Sequence, residues 1–167
     1  MAVANKRMGH VTLILNYWNR GEVTNALAAI NMINDLSVTM DVFGYTFANG
    51  YGLHLLTLDH AAIILSLALT LVHSKYECYV QVGLRTIDNI FKQFSEKIRS
   101  ALTVPLLGGV DLAREERLKK SDLCLKQFKL ILEDAGMKKI ANKQSELGTQ
   151  AAKVMNSLSY LLKACKI

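Results

Sequence analysis

The chain has 167 residues, 51% of them hydrophobic and 20% charged, with one proline and ten glycines. That composition supports one domain with a proper core and excludes a disordered, collagenous or low-complexity chain. The net charge is +6 and unevenly placed: residues 1–110 hold eight basic and seven acidic side chains, residues 111–167 twelve and seven.

Almost every segment repeats with a helical period, and none alternates long enough for a strand. Val11, Ile14, Leu15 and Trp18 form the first stripe, closed by Arg20-Gly21. Val23, Leu27, Ile30 and Ile33 form the second, ending near Asn34-Asp35. Ser37 is placed to cap a short third helix bearing Val38, Val42 and Tyr45, which stops before Asn49-Gly50-Tyr51-Gly52. Glycines there permit a turn with positive φ. Thr57 or Asp59 opens a fourth helix whose run from Ala61 to Val72 is apolar on all faces, so neighbours must surround it. That run is too short for a membrane span, which needs about 20 apolar residues.

Ser74-Lys75-Tyr76-Glu77 has the spacing of a capping box. It precedes the longest stripe: Tyr76, Val80, Gly83, Ile87, Ile90, Phe94, Ile98 and Leu102, a helix of about 27 residues, roughly 40 Å long. Val104-Pro105 through Gly108-Gly109 breaks the pattern. Asp111 then caps a helix with Leu118, Leu125, Phe128 and Leu132 on one side and Arg114, Arg117, Lys119, Lys120 and Lys126 on the other, stopped by Gly136. A last helix carries Leu147, Ala151, Val154, Leu158, Leu161 and Cys165. The expected architecture is one all-α domain over residues 1–167, about six or seven antiparallel helices, with a short stack of helical hairpins as a variant.

No catalytic constellation accompanies this pattern. Gly108-Gly109 lacks the lysine of a phosphate loop, and His10, His54, His60 and His73 have no metal-binding spacing on one helix. His60 and His73 flank the apolar helix and read as boundary or capping residues. Cys78, Cys124 and Cys165 are too sparse for a disulfide framework, which points to a reducing compartment. They read as structural thiols, with a thiol enzyme as the remote alternative. Glu115-Glu116 sits among cations, which keep the pair ionised as a salt-bridged surface. The first residues, MAVANKRMGH, lack the apolar run of a signal peptide. The expectation is a binding module that is not an enzyme and has no cofactor and no metal.

Its surface offers two leads. Tyr76 and Tyr79 share a helix face beside Lys75, a combination enriched at protein interfaces, although a core role for Tyr76 and a surface role for Tyr79 are also open. The basic C-terminal third attracts an acidic protein surface, nucleic acid or anionic lipid, unless it is simply a lysine-rich solvated face. Trp18 reads first as a core anchor.

Five strings, in order, carry a resemblance. They are Tyr17-Trp18-Asn19-Arg20-Gly21-Glu22-Val23; Leu56-Thr57-Leu58-Asp59; Ser74-Lys75-Tyr76-Glu77-Cys78-Tyr79-Val80-Gln81-Val82-Gly83-Leu84; Ile98-Arg99-Ser100-Ala101-Leu102; and Gly109-Val110-Asp111-Leu112-Ala113-Arg114-Glu115-Glu116-Arg117-Leu118. Together they resemble the conserved C-terminal domain of the regulatory, non-ATPase subunit of katanin, the microtubule-severing complex, over roughly residues 7–133. The resemblance implies an α-helical module that binds the N-terminal helical domain of the katanin ATPase subunit as a heterodimer. ATP hydrolysis would belong to that partner.

The resemblance further implies binding to microtubules, association with spindle-pole and minus-end proteins, and a cytoplasmic, cytoskeletal location. Lys75, Tyr76 and Tyr79 match the family's Ser-Lys-aromatic segment and are assigned to the ATPase-subunit interface, with Trp18 supporting the same layer. For acidic tubulin, charge selects Arg114, Arg117, Lys119, Lys120 and Lys126. In that family the domain usually follows a β-propeller and a linker, and these helical residues form neither. The chain therefore reads as an excised domain, a short paralogue or a divergent relative. A basic helical nucleic-acid-binding protein or other scaffold is the alternative, but no recognition-helix signature supports it.

Overall fold

A computed structural model describes residues 2–103 and 112–165. They form eight α-helices with no strand among them: α1 (Ala2–Asn19), α2 (Val23–Ile33), α3 (Leu36–Tyr45), α4 (Leu58–Val72), α5 (Glu77–Thr103), α6 (Leu112–Glu133), α7 (Ala135–Ala141) and α8 (Glu146–Ala164). Two short 3₁₀ turns, Phe47–Asn49 and Leu53–Leu55, link α3 to α4. The all-α expectation holds, with one helix more than the upper count.

Each junction has a local cause. Gly21 at φ 75° ends α1, and Asn34 at φ 48° ends α2. Gly50 and Gly52 take φ 74° and 71° in the anticipated turn cluster. The α3 cap is Asp35, not Ser37: the Asp35 carboxylate accepts from the Ser37 amide at 2.8 Å and from its hydroxyl at 2.7 Å. Thr57 caps α4, and His60 completes the box: its Nδ1 accepts from the Thr57 amide at 3.2 Å. Ser74 forms no such box. Its Oγ accepts from the Tyr76 amide, while the Tyr76 carbonyl accepts the first helical bonds, so Ser74 lies too far upstream to reach Glu77.

Gly136 is not the stop of α6. Asp134 accepts from the Met137 amide at 2.8 Å and restarts the chain as α7, with Gly136 inside it; a Cβ there would meet His73 at 2.9 Å. The Pro105 break and the Asp111 cap lie outside the described residues.

α5 is the central element. It packs most extensively on α4 and also touches α3, α6 and α8. Val80, Gly83, Leu84, Ile87, Ile90, Phe94 and Ile98 are buried along it, whereas Tyr76 at its start is 53% exposed. α4 is buried through Ala61, Ile64, Leu65, Ala68, Leu71 and Val72, yet Ile63, Ser66 and Thr70 face outward, so one strip of this apolar helix is open. α2, α3, α5 and α6 cover the rest. Tyr45, placed on the third stripe, is likewise exposed. Among the described residues no helix is long and apolar enough to cross a membrane.

The α4 cap makes folding pH-dependent. Because His60 Nδ1 accepts from a backbone N–H, its proton sits on Nε2 and is donated to Thr24 Oγ1 at 3.0 Å. Burial lowers the His60 pKa below its ordinary value, partly offset by Asp59. A depressed folded pKa gives stability that is complete above the unfolded value of 6.5 and is lost as pH falls through the folded value. His60→Gln keeps an acceptor for the Thr57 amide but does not titrate. Urea midpoints measured from about pH 7.5 to about pH 5.5 should fall less steeply for His60→Gln than for the parent.

Candidate functional site

The first surface lies at the start of α5. Lys75 Nζ stands over the Tyr76 ring at 5.1 Å, and the Tyr76 and Tyr79 rings are 5.4 Å apart, tilted by 49°. Tyr76 is the exposed member and Tyr79 is half-buried against the core, so Tyr76 is not a core residue and Tyr79 is not a purely surface one. Arg7 of α1 clasps Asp41 of α3 through two 2.7 Å hydrogen bonds, and Tyr79 lies within electrostatic reach of that guanidinium. The Asp41 carboxylate raises the Arg7 pKa, first through its hydrogen bond. A cation, two aromatic rings and a fixed ion pair thus share one patch. Arg7 and Asp41 escaped the sequence reading because 34 residues separate them.

Trp18 is not on that surface. It is 2% exposed, its ring meets Phe47 edge-on at 5.1 Å, and Phe47 in turn meets Phe43 at 4.8 Å. Its Nε1 is buried without a hydrogen-bond partner. Any contribution to partner binding is through the helical layer it supports, in keeping with the core-anchor reading.

The basic residues of α6 do not share one face. Arg114 and Arg117 turn toward α5, where with Lys97, Ser100, Leu118 and Ser121 they line a groove of about 520 Å³. Lys120 turns toward α4, bridging Asp59 at 2.7 Å and Glu116 at 2.9 Å; those hydrogen bonds, Asp59 first, raise its pKa. Lys119 and Lys126, seven residues apart, lie on the outer face with Leu123 and Leu130, and Lys126 pairs with Asp122 at 2.7 Å. The reason is angular: Arg114 and Leu118 stand four apart, on the side that becomes the core one turn later.

The aromatic patch and the groove stand at opposite ends of α5, roughly 35 Å apart along its axis. α6 runs antiparallel to α5, since Asp134 at its far end meets His73 just before α5. His73 is the C-cap of α4, so both flanking histidines act at helix ends.

Burial pushes the Cys124 thiol up to about 12 and raises Cys165 as well, leaving neither as a ready thiolate. Cys78 is exposed, unlike the buried thiol that a structural reading implies. Glu116 is spent on Lys120, as the salt-bridged reading of Glu115-Glu116 anticipates. Among the described residues no group of three His, Cys, Asp or Glu side chains could hold a metal ion.

Comparison with known proteins bears on what these surfaces serve. The family model for the con80 domain of katanin matches residues 1–158. The match therefore extends past the expected limit near residue 133, through α7 and most of α8. The katanin p80 WD40 repeat-containing subunit B1 of Xenopus tropicalis is 33% identical over 129 residues, 77% of this chain and 19% of that protein. The Gallus gallus protein of that name is 34% identical over the same share of each. The Danio rerio protein is 33% identical over 141 residues, 77% of this chain and 20% of its own length. The chain thus spans about a fifth of the length of these curated relatives. With the family model matched over most of its length and relatives at one-third identity, the chain belongs to the katanin con80 domain family.

Proposed function

We propose that this domain is a non-enzymatic partner of the katanin ATPase subunit, which it binds through that subunit's N-terminal helical domain. In this reading it helps to hold the severing complex on microtubules in the cytoplasm. Spindle-pole and minus-end proteins are the further partners it would serve, and hydrolysis belongs to the ATPase.

The observation that carries the reading is the patch at the start of α5. An exposed tyrosine under a lysine, backed by a half-buried tyrosine and the Arg7–Asp41 pair, occurs in a con80-family chain. Tyrosine is among the side chains that dominate binding energy at protein interfaces, and its ring here is exposed with a cation over it. Attraction to acidic tubulin would come from the net charge of the C-terminal third and weaken as salt shortens the Debye length from about 10 Å at 0.1 M.

Calorimetric titration with the N-terminal domain of a katanin ATPase subunit tests the reading. One-to-one binding, weakened about tenfold or more by Tyr76→Ala or Lys75→Glu, is the expected result. Tyr79→Ala should weaken it too, with its melting temperature checked because that ring also packs on the core. Unchanged affinity in all three folded variants would remove the interface assignment. Absence of binding by the folded parent would remove the pairing itself.

A further inference from the structure

The loop between α7 and α8 folds back onto the first half of α8 and leaves a groove of about 650 Å³. Backbone contacts fix its shape. The Lys143 amide donates to the Ile140 carbonyl at 3.0 Å, and the Lys143 carbonyl accepts from the Ser145 amide at 2.9 Å. Ser145 caps α8 by accepting from the Gly148 amide at 3.1 Å. A Cβ on Gly148 would collide with the Lys143 carbonyl, so only glycine lets the loop lie this close. Asn142, Lys143 and Gln144 are thereby held against the face of α8 that carries Lys153 and Asn156.

This corner of the molecule is basic. Residues 135–165 hold five lysines and one carboxylate. Lys143 and Lys153 line the groove, and Lys138 stands one turn before Asn142 on the same side of α7. None of these three lysines makes an ion pair with a described residue. The single carboxylate, Glu146, lies in the adjoining hollow with Arg85. The lining comes wholly from residues 141–157, all of them described, and it includes no carboxylate. Its charge therefore favours an anionic occupant.

The neutral side chains say which kind. Asn142, Gln144 and Asn156 supply three primary amides to the groove, and none of those side chains makes a hydrogen bond to a described residue. Each offers two N–H donors and one carbonyl acceptor, which match the C=O and N–H of a peptide unit. The lining has no aromatic ring on which a nucleobase could stack, and no arginine to grip a phosphate with two parallel bonds. From Thr149 to Ser157 the α8 wall runs about 12 Å, the length of three or four extended residues.

We propose that this groove docks an extended acidic segment of a partner polypeptide. Lys143 and Lys153 meet its carboxylates, while Asn142, Gln144 and Asn156 pair with its backbone. The inference depends neither on the ATPase-subunit pairing nor on the microtubule role.

The test is fluorescence anisotropy of a labelled oligoglutamate peptide titrated with the full chain. Saturable binding is expected, weakened about tenfold by Lys143→Glu or Lys153→Glu and several-fold by Gln144→Ala or Asn156→Ala. Lys6→Glu on α1 and Lys119→Glu on α6 change the net charge equally and should cost less than about threefold. Circular dichroism secures the fold of each variant.

Equal weakening by all four charge reversals would overturn the proposal, because a diffuse field would then explain the binding. Absence of saturable binding by the folded parent would do the same. So would unchanged affinity in both amide variants, since the backbone pairing would then be absent. A single-stranded oligonucleotide of matched charge that displaces the peptide from the parent, but not from Lys143→Glu, would assign the groove to nucleic acid instead.

Discussion

Trp18→Ala should lower the melting temperature by roughly 6–20 °C, the equivalent of about 3–5 kcal/mol for a truncated buried aromatic at about 2–4 °C per kcal/mol. The indole is 2% exposed and is gripped on two sides. Phe47 meets it edge-on at 5.1 Å, and the turn at Gly52 approaches so closely that a Cβ there would lie 2.6 Å from Cζ2. The turn is built by φ 71° at Gly52, so the backbone cannot follow a shrinking side chain without losing its own geometry. A cavity is the expected consequence.

Trp18→Phe should cost much less, since it keeps ring packing and removes an Nε1 that is buried without a partner. Thermal melts followed by circular dichroism decide the matter. If Trp18→Ala melted with the parent but bound the ATPase-subunit domain weakly, the tryptophan would belong to the interface and the core assignment would fail.

Gly83→Leu is expected to destabilise by about 3 kcal/mol, against the usual rule that replacing a glycine within a helix stabilises it by up to ~1 kcal/mol. The reversal comes from the α4–α5 contact. A Cβ on Gly83 would stand 2.8 Å from the Ala68 carbonyl oxygen, 2.9 Å from Val72 Cγ2 and 3.1 Å from the Val72 amide nitrogen. Two of those three atoms are backbone, so relief requires the helices to separate along their most extensive packing surface. Even Gly83→Ala should be destabilising.

Gly9→Ala in α1 is the matched control: nothing stands within 4 Å of its added Cβ, and it should stabilise by up to ~1 kcal/mol. Chemical denaturation of the three variants gives the comparison. A stabilised Gly83→Ala would mean that α4 and α5 are not in the close contact described.

These contrasts show what a one-dimensional reading can reach. The span of α5 was legible because its stripe recurs every three or four residues from Val80 to Ile98, and the helix indeed runs for 27 residues. Gly83 was counted in that stripe, but its role as the point of closest approach appears only when Ala68 and Val72 stand opposite it. Tyr76 shares the period with Val80 and turns outward nonetheless, because it precedes the first helical residue and lies beyond the end of the packed seam. The basic residues of α6 were assigned to one side on composition, whereas their angular positions divide them among the groove, α4 and the outer face. The α7 helix was missed because Asp134 resembles a loop residue until its carboxylate meets the Met137 amide.

By itself the sequence determined the helical class, most helix limits, the excess of positive charge in the last third and the ordered strings of the con80 family. All of these are local or cumulative properties, carried by residues within a few turns of one another. The tertiary structure alone decided which cation meets which carboxylate, as in Arg7 with Asp41 and Lys120 with Asp59, and that Ser121 is buried in the lining of the α5–α6 groove. Those outcomes depend on the register between helices distant in sequence. Register is set by how buried side chains interlock across the whole core, and no short stretch of chain contains that information.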